Sequence, residues 1–429
     1  MPSCSMIPSR IVIINDRSLA AGGATALALL SARLFSEAGY DVTYITGDDG
    51  CEADLPAAVE LVTLGQKPLL QRSMASRVGH GLYNPAARRL LEREIARLDG
   101  PRVVYHLHGW AQILSPSVFA ALGPVESRLV IHAHDFFMAC PTGTFFDFAT
   151  QQVCERSPLT PGCLAASCDK RSALQKAFRV SRFVVRKRLF AGSLSPAAIA
   201  VIHPAMVPYL ERSDLSADRL HVVRNPARTF RTSRVRAEDN DEIFFIGRVS
   251  REKGPRLAAQ AARLAGRKLR LIGDGREREE LAVEFPEVAF EGWLEHEEIA
   301  QRIGKARAIV MPSFMPEPFG LVALEALQSG VPLVAFSDSF IAREAERLGC
   351  AFLAGDRQPE TLAAAIARLD DDTVVEQASR RAFDASPSLT CTEEQWRDQL
   401  HQLYVDLLRN AGTCSENIRA IEAAPALAR

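Results

Sequence analysis

The sequence predicts an α/β protein of two Rossmann-like domains, each built on a parallel, doubly wound sheet. Three observations predict it. Short apolar, β-branched runs alternate with helix-length stretches along most of the chain, the rhythm of βαβ units in an open sheet. The alternation breaks at Asn225-Pro226, in a polar stretch (227–241) with four arginines and the run Glu238-Asp239-Asn240-Asp241, and then restarts. And 429 residues are too many for one hydrophobic core.

Taken in order, residues 11–14 read as a strand, 15–23 as a loop, 24–38 as a helix striped by Leu27, Leu30 and Leu34, and 42–46 as the next strand. Further strands are predicted at 103–107, 128–133, 198–203 and 221–224. After the linker come a strand at 242–246, a helix at 255–264 and strands at 268–272, 288–291 and 308–311. A helix at 319–329 and a strand at 332–335 follow. Residues 392–409 place Trp396, Leu400, Leu403 and Leu407 on one stripe of an amphipathic helix. The division is therefore a first domain at 1–228, a second at 229–391, a helix at 392–409 packing back on the first, and a flexible tail at 410–429.

A content of 47% hydrophobic and 24% charged residues excludes a disordered, fibrous or coiled-coil chain. With 51 basic against 52 acidic residues, bulk charge does not point to nucleic acid. The longest uncharged stretch, 189–210, is interrupted by Pro196, Pro204 and Pro208 and reads as buried structure rather than a membrane span. Nine cysteines behind an N-terminus without a signal core suggest reduced thiols and a cytoplasmic chain.

In such sheets ligands bind beyond the carboxyl ends of the strands, so the loops there carry the chemistry. The strongest loop follows the strand ending at Met311. It holds Glu317 and enters a helix at Phe319, Gly320 and Leu321, whose free amides and positive dipole end suit a diphosphate. Glu325, within the apolar helical run, is a costly carboxylate unless ligand hydroxyls donate to it. Arg248 and Lys253, after the first strand of this domain, are two cations able to neutralise a departing diphosphate. Their bland reading is a solvated basic loop.

Glu317 and Glu325, eight residues apart, followed by Gly330 and Pro332, make this segment resemble the retaining glycosyltransferases of family 4, with the two-domain GT-B fold. Phe245 to Gly254, Ile272-Gly273-Asp274-Gly275 and Glu291-Gly292-Trp293 continue the likeness in order through the second domain. The resemblance implies two domains facing across a cleft, with Arg248 and Lys253 on the donor diphosphate. It puts Glu317 on the sugar hydroxyls, Glu325 on the ribose, and Gly273, Asp274, Gly275 and Trp293 near the base. It implies retention with no metal and no cofactor beyond the nucleotide-sugar donor, and a saccharide or lipid-linked saccharide acceptor in polysaccharide synthesis.

In the first domain, Gly22-Gly23 opens a helix after the first strand, a loop that in the family faces donor and acceptor; a plain structural turn is the alternative. Alternation points His132 and His134 the same way at a strand end, and the resemblance assigns His134 to the sugar pocket. His106 and His108 repeat the spacing one strand earlier, as ligand groups or as core histidines. An insertion at about 136–170 contains Cys140, Cys154, Cys163 and Cys168, at spacings that match no standard zinc pattern; metal and free thiols both stand. From 170 to 210 there are eight Lys/Arg and no acids. A helix over 170–190 would place Leu174, Ala177, Phe178, Ser181, Val185 and Leu189 on one stripe. Lys176, Arg179, Arg182, Arg186, Lys187 and Phe183 would lie opposite. Two readings remain: a helix lying peripherally on the anionic inner face of a membrane, or a core stripe beneath a solvated basic face.

Other enzymes of this architecture, epimerases and phosphorylases, would need carboxylates with a base or a cofactor lysine, neither of which is evident. A dinucleotide oxidoreductase would need Gly-x-Gly-x-x-Gly at 16–23. A non-catalytic sugar-nucleotide-binding scaffold would not need Arg248, Lys253, Glu317 and Glu325 together.

Overall fold

Every apolar run read as a strand forms one in the computed structural model, which describes residues 7–20, 22–193, 197–213 and 215–422. The strands are β1 (Arg10–Asn15), β2 (Asp41–Thr46), β3 (Glu60–Thr63), β4 (Val103–Leu107) and β5 (Leu129–Ala133). A short hairpin follows, β6 (Phe146–Asp147) and β7 (Gln152–Val153), then β8 (Ala198–Val201) and β9 (Leu220–Val222). The remainder are β10 (Glu242–Ile246), β11 (Lys268–Ile272), β12 (Ala289–Gly292), β13 (Ala306–Met311), β14 (Leu333–Phe336) and β15 (Ala351–Ala354). The helices that matter below are α1 (Gly23–Glu37), α2 (Ala173–Ser193), α3 (Pro255–Leu264), α4 (Leu321–Gln328) and α5 (Glu393–Glu422).

The chain divides into two units. One comprises Met1–Gly143, Arg156–Val223 and Glu393–Arg429; the other comprises Thr144–Glu155 and Arg224–Thr392. The first contains a seven-stranded sheet of order β3-β2-β1-β4-β5-β8-β9, the second a six-stranded sheet of order β12-β11-β10-β13-β14-β15. All neighbours in both are parallel. Central strands of such sheets are covered on both faces, which is why Ile11 to Ile14 are fully buried and their run is unbroken by polar residues. Each sheet starts at its centre and reverses direction once, between β1 and β4 and between β10 and β13. These are the Rossmann switch points, where adjacent loops diverge and leave room for a ligand.

Several boundaries differ from the sequence reading. Arg224 forks onto Glu344 at 2.8 and 2.9 Å, so the second unit begins there rather than at 229. The polar linker is ordered: Ser329 Oγ accepts the amides of Phe230 and Arg231, both at 3.1 Å, and Arg234 pairs with Glu238. Within the insertion, residues 144–155 belong to the second unit, where Phe146 packs against Phe314 and Arg357 covers its ring. Cys154 goes with that hairpin, whereas Cys140, Cys163 and Cys168 lie in the first unit. Helix α5 continues past Arg409 to Glu422, through part of the segment read as a tail; 423–429 fall outside the described residues. Trp396, Leu400, Leu403 and Leu407 are buried as their spacing predicts.

Helix α2 overturns both readings of its basic face. Leu174 is 76% exposed, while Lys176, Arg182 and Arg186 are buried with Phe183 and Phe190. Buried cations need acceptors, and the chain supplies them. Lys176 Nζ donates to the Cys163 and Ala166 carbonyls, both at 2.7 Å, and to Cys168 Sγ at 3.0 Å. Arg182 donates to the Ala111 carbonyl at 2.7 Å, and Arg186 lies 4.4 Å over the Phe183 ring. Four of the six side chains offered to anionic lipid, Lys176, Arg182, Phe183 and Arg186, are thus buried, whereas Arg179 and Lys187 are half-buried. No helix among the described residues is long and apolar enough to cross a membrane.

Candidate active site

The second unit assembles its site from the loops after β10 and β13, which are neighbours because those strands pair. The β10 loop turns at Gly254, in the left-handed region (φ 72°), to enter α3. A Cβ there would lie 2.1 Å from the Pro312 carbonyl oxygen, so only glycine lets the two loops approach. Phe314 N–H donates to the Glu252 carbonyl at 3.0 Å and locks them.

That lock brings Lys253 to Glu317. Lys253 Nζ donates to Glu317 Oε2 at 2.6 Å, and Ser313 Oγ donates to the same oxygen at 3.0 Å. Burial pushes the Glu317 carboxyl up, but Lys253, Ser313 and the more distant charge of Arg248 together hold it below its ordinary range. The carboxylate is therefore ionised, with a half-buried ammonium beside it and an exposed guanidinium within electrostatic reach. Ser313 escaped the sequence reading, although its place four residues before Glu317 in the same loop was a local signal.

Glu325 stands on α4, whose N-cap is Gly320 (φ 70°) and whose first residue is Leu321. Burial pushes its carboxyl up to about 8, and Arg228 offsets only part of that. At neutral pH it is largely protonated and poised to change state when donors arrive. Phe319 is buried at the foot of this helix. The β11 loop crosses beneath the β10 loop, with Val249 N–H donating to the Asp274 carbonyl at 2.9 Å. A Cβ on Gly273 or Gly275 would meet the Gly247 or Val249 carbonyl oxygen at 1.9 or 2.3 Å, so backbone crossing alone requires both glycines. Trp293 is 66% exposed, and its Nε1 donates to Glu295 Oε1 at 3.5 Å.

In the first unit, Gly22 caps α1 with an extended backbone (φ 179°), and a Cβ there would meet nothing within 4 Å. Local packing therefore does not require glycine at 22; Gly23 is the first residue of α1. Asp16, after β1, accepts the amides of Gln112, Ile113 and Leu114 at 2.7 to 2.8 Å and shapes the loop after β4.

His134 does not stand alone. Its ring stacks on His132 with centroids 4.2 Å apart, and its Nε2 meets His108 Nδ1 at 3.0 Å. His106 stacks on His132 and bonds it through Nε2 to Nδ1 at 3.2 Å. His106 Nδ1 meets Tyr404 Oη of α5 at 2.6 Å. Burial lowers all four imidazoles, His134 to about 3, so they are neutral at pH 7. Alternation revealed the two pairs; their union, and Tyr404, required the strand order and α5.

The two Rossmann-like units, each with a parallel sheet, have the fold of GT-B glycosyltransferase structures. Residues 227–384 match the family model described as glycosyl transferases group 1. Over 274 residues the chain is 27% identical to the glycogen synthase of Mycobacterium tuberculosis strain CDC 1551, covering 61% of this chain and 64% of that relative. The match thus spans somewhat under two thirds of the relative's length. The fold is shared with sucrose-phosphate synthase from Thermosynechococcus elongatus at a TM-score of 0.69 and 18% identity, over 94% of this chain and 100% of that one. It is also shared with Anabaena HepE, solved in complex with UDP, at a TM-score of 0.62 and 16% identity, over 92% and 99% of the two chains.

Proposed function

We propose that the chain is a retaining glycosyltransferase that moves a sugar from a nucleoside diphosphate to a saccharide or lipid-linked saccharide, in polysaccharide or glycoconjugate synthesis in the cytoplasm. The observation that carries the reading is the Lys253–Glu317 pair at the switch point. Transfer builds negative charge on the departing diphosphate. Lys253 is fixed by its carboxylate partner and needs no reorganisation to meet that charge; Arg248 adds a second cation from the same loop. Glu317, ionised, accepts hydrogen bonds from sugar hydroxyls and orients the anomeric carbon. Glu325 becomes an acceptor for ribose hydroxyls, Trp293 offers a face to the base, and the amides at Gly320 and Leu321 face phosphate. His134 serves the sugar pocket, and Gly22 leaves room for close approach of ligand. Transfer itself draws on no metal and no cofactor beyond the donor.

Support comes from the ordered loops, from the family domain and from relatives whose names describe sugar transfer. The test is transfer from UDP-, GDP- and ADP-sugars by Lys253→Ala and Glu317→Ala. Each should fall about 10²–10³-fold with the fold retained. A wild-type rate in both variants refutes the site. Proton NMR of the first-formed product should show the donor's anomeric configuration.

A further inference from the structure

The histidine cluster of the first unit has unmet bonding capacity. A neutral imidazole has one N–H and one lone pair. After the bonds to Tyr404, between His106 and His132, and between His108 and His134, three ring nitrogens remain: His108 Nε2, His132 Nε2 and His134 Nδ1 are buried without a hydrogen-bond partner among the described residues. Each such nitrogen loses its hydration with nothing in return if no partner meets it. One nitrogen from each of His106, His108 and His132 lies within 4.8 Å of the others, and all three residues are buried. An ion at the ~2.0–2.1 Å of a zinc–imidazole bond would draw these nitrogens closer together and would replace the His106 Nε2–His132 Nδ1 hydrogen bond.

We propose that His106, His108 and His132 bind one late first-row divalent cation, with water or hydroxide as the remaining ligand. The donor set selects the class: three imidazole nitrogens and no carboxylate suit zinc and its neighbours, whereas magnesium and calcium want oxygen. Outer partners are already in place, Tyr404 Oη on His106 Nδ1 and His134 on His108 Nδ1. A cation on His108 Nε2 puts that ring's proton on Nδ1, which then donates to His134 Nε2. The proton of His134 must then sit on Nδ1, making that atom a hydrogen-bond donor. The ion would thereby set the tautomer of His134 without touching it.

The test is elemental analysis of the full-length protein produced with supplementary zinc and then desalted. The expected result is about one zinc per chain, lost in His108→Gln and His132→Gln variants of unchanged far-ultraviolet circular dichroism, and kept in a Cys140→Ser/Cys168→Ser variant. Wild type holding no more zinc than His132→Gln, or loss confined to the cysteine variant, overturns the proposal. Should the histidine variants fail to fold, cobalt-substituted wild type decides. Ligand-field bands without a thiolate charge-transfer band support the site; a thiolate band, or no cobalt bound, refutes it.

Discussion

Glu325 and Glu317 show how two carboxylates in one unit take opposite states. Glu317 has a lysine, a serine and a nearby arginine; Glu325 has burial and one remote arginine. The consequence for Glu325 is a stability slope with a definite sign. Its folded-state value of about 8 lies above the ordinary 4.5, so between those pH values the native state binds more protons than the unfolded chain. Stability must then fall as pH rises from about 4.5 to about 8 and level off beyond. Melting temperatures of wild type and Glu325→Gln across that range check this: the variant should lack the fall, and parallel curves would exclude it. On the proposed ribose contact, binding of a matching nucleoside should lower the Glu325 pKa and release protons near pH 7, seen by calorimetry in buffers of different ionisation enthalpy.

At the scale of elements, the site depends on loops that cannot approach without Gly254. Gly254→Ala places a Cβ in the left-handed region and against the Pro312 carbonyl, and should cost about 1–3 kcal/mol by denaturant unfolding. It should also weaken UDP binding, because Lys253 moves with the loop. Helix α2 makes a separate prediction. Arg182 is buried near Asp16 and Asp135, and burial brings its guanidinium down to about 10. Arg182→Glu should destabilise by about 3–5 kcal/mol through an uncompensated buried charge, while the exposed Arg188→Glu should stay within about 0.5 kcal/mol. Equal effects would contradict the inward placement of the cations.

For the whole molecule, the chain leaves the first unit at Val223 and returns to it at Glu393. Trp396, Leu400 and Tyr404 are fully buried there. Ending the chain before Glu393 should therefore unfold the first unit, since losing a buried tryptophan alone costs about 3–5 kcal/mol; protease resistance of residues 10–220 in such a truncation would rule this out. A nucleoside diphosphate that fits the second unit should raise overall stability by mass action, about 2.7 kcal/mol at a hundredfold excess over Kd. Comparing UDP, GDP and ADP by thermal shift, in wild type and Lys253→Ala, identifies the nucleotide and tests the phosphate contact together.

The sequence by itself determined the two sheets and the loops that carry Lys253, Glu317 and Glu325, because strand runs and loop residues are local signals. It lost β3 and β15, one a short exposed edge strand and the other alanine-rich, where β-propensity is weak. Tertiary structure alone decided three matters. Strand order joined Lys253 to a carboxylate sixty-four positions away. Return of α5 set Tyr404 on the histidines. Carbonyls and aromatic rings from elsewhere in the unit turned the arginines of α2 inward, against the stripe its apolar residues drew. A helical wheel weighs each side chain against water, whereas a buried cation is stabilised by acceptors that only the folded chain brings to it.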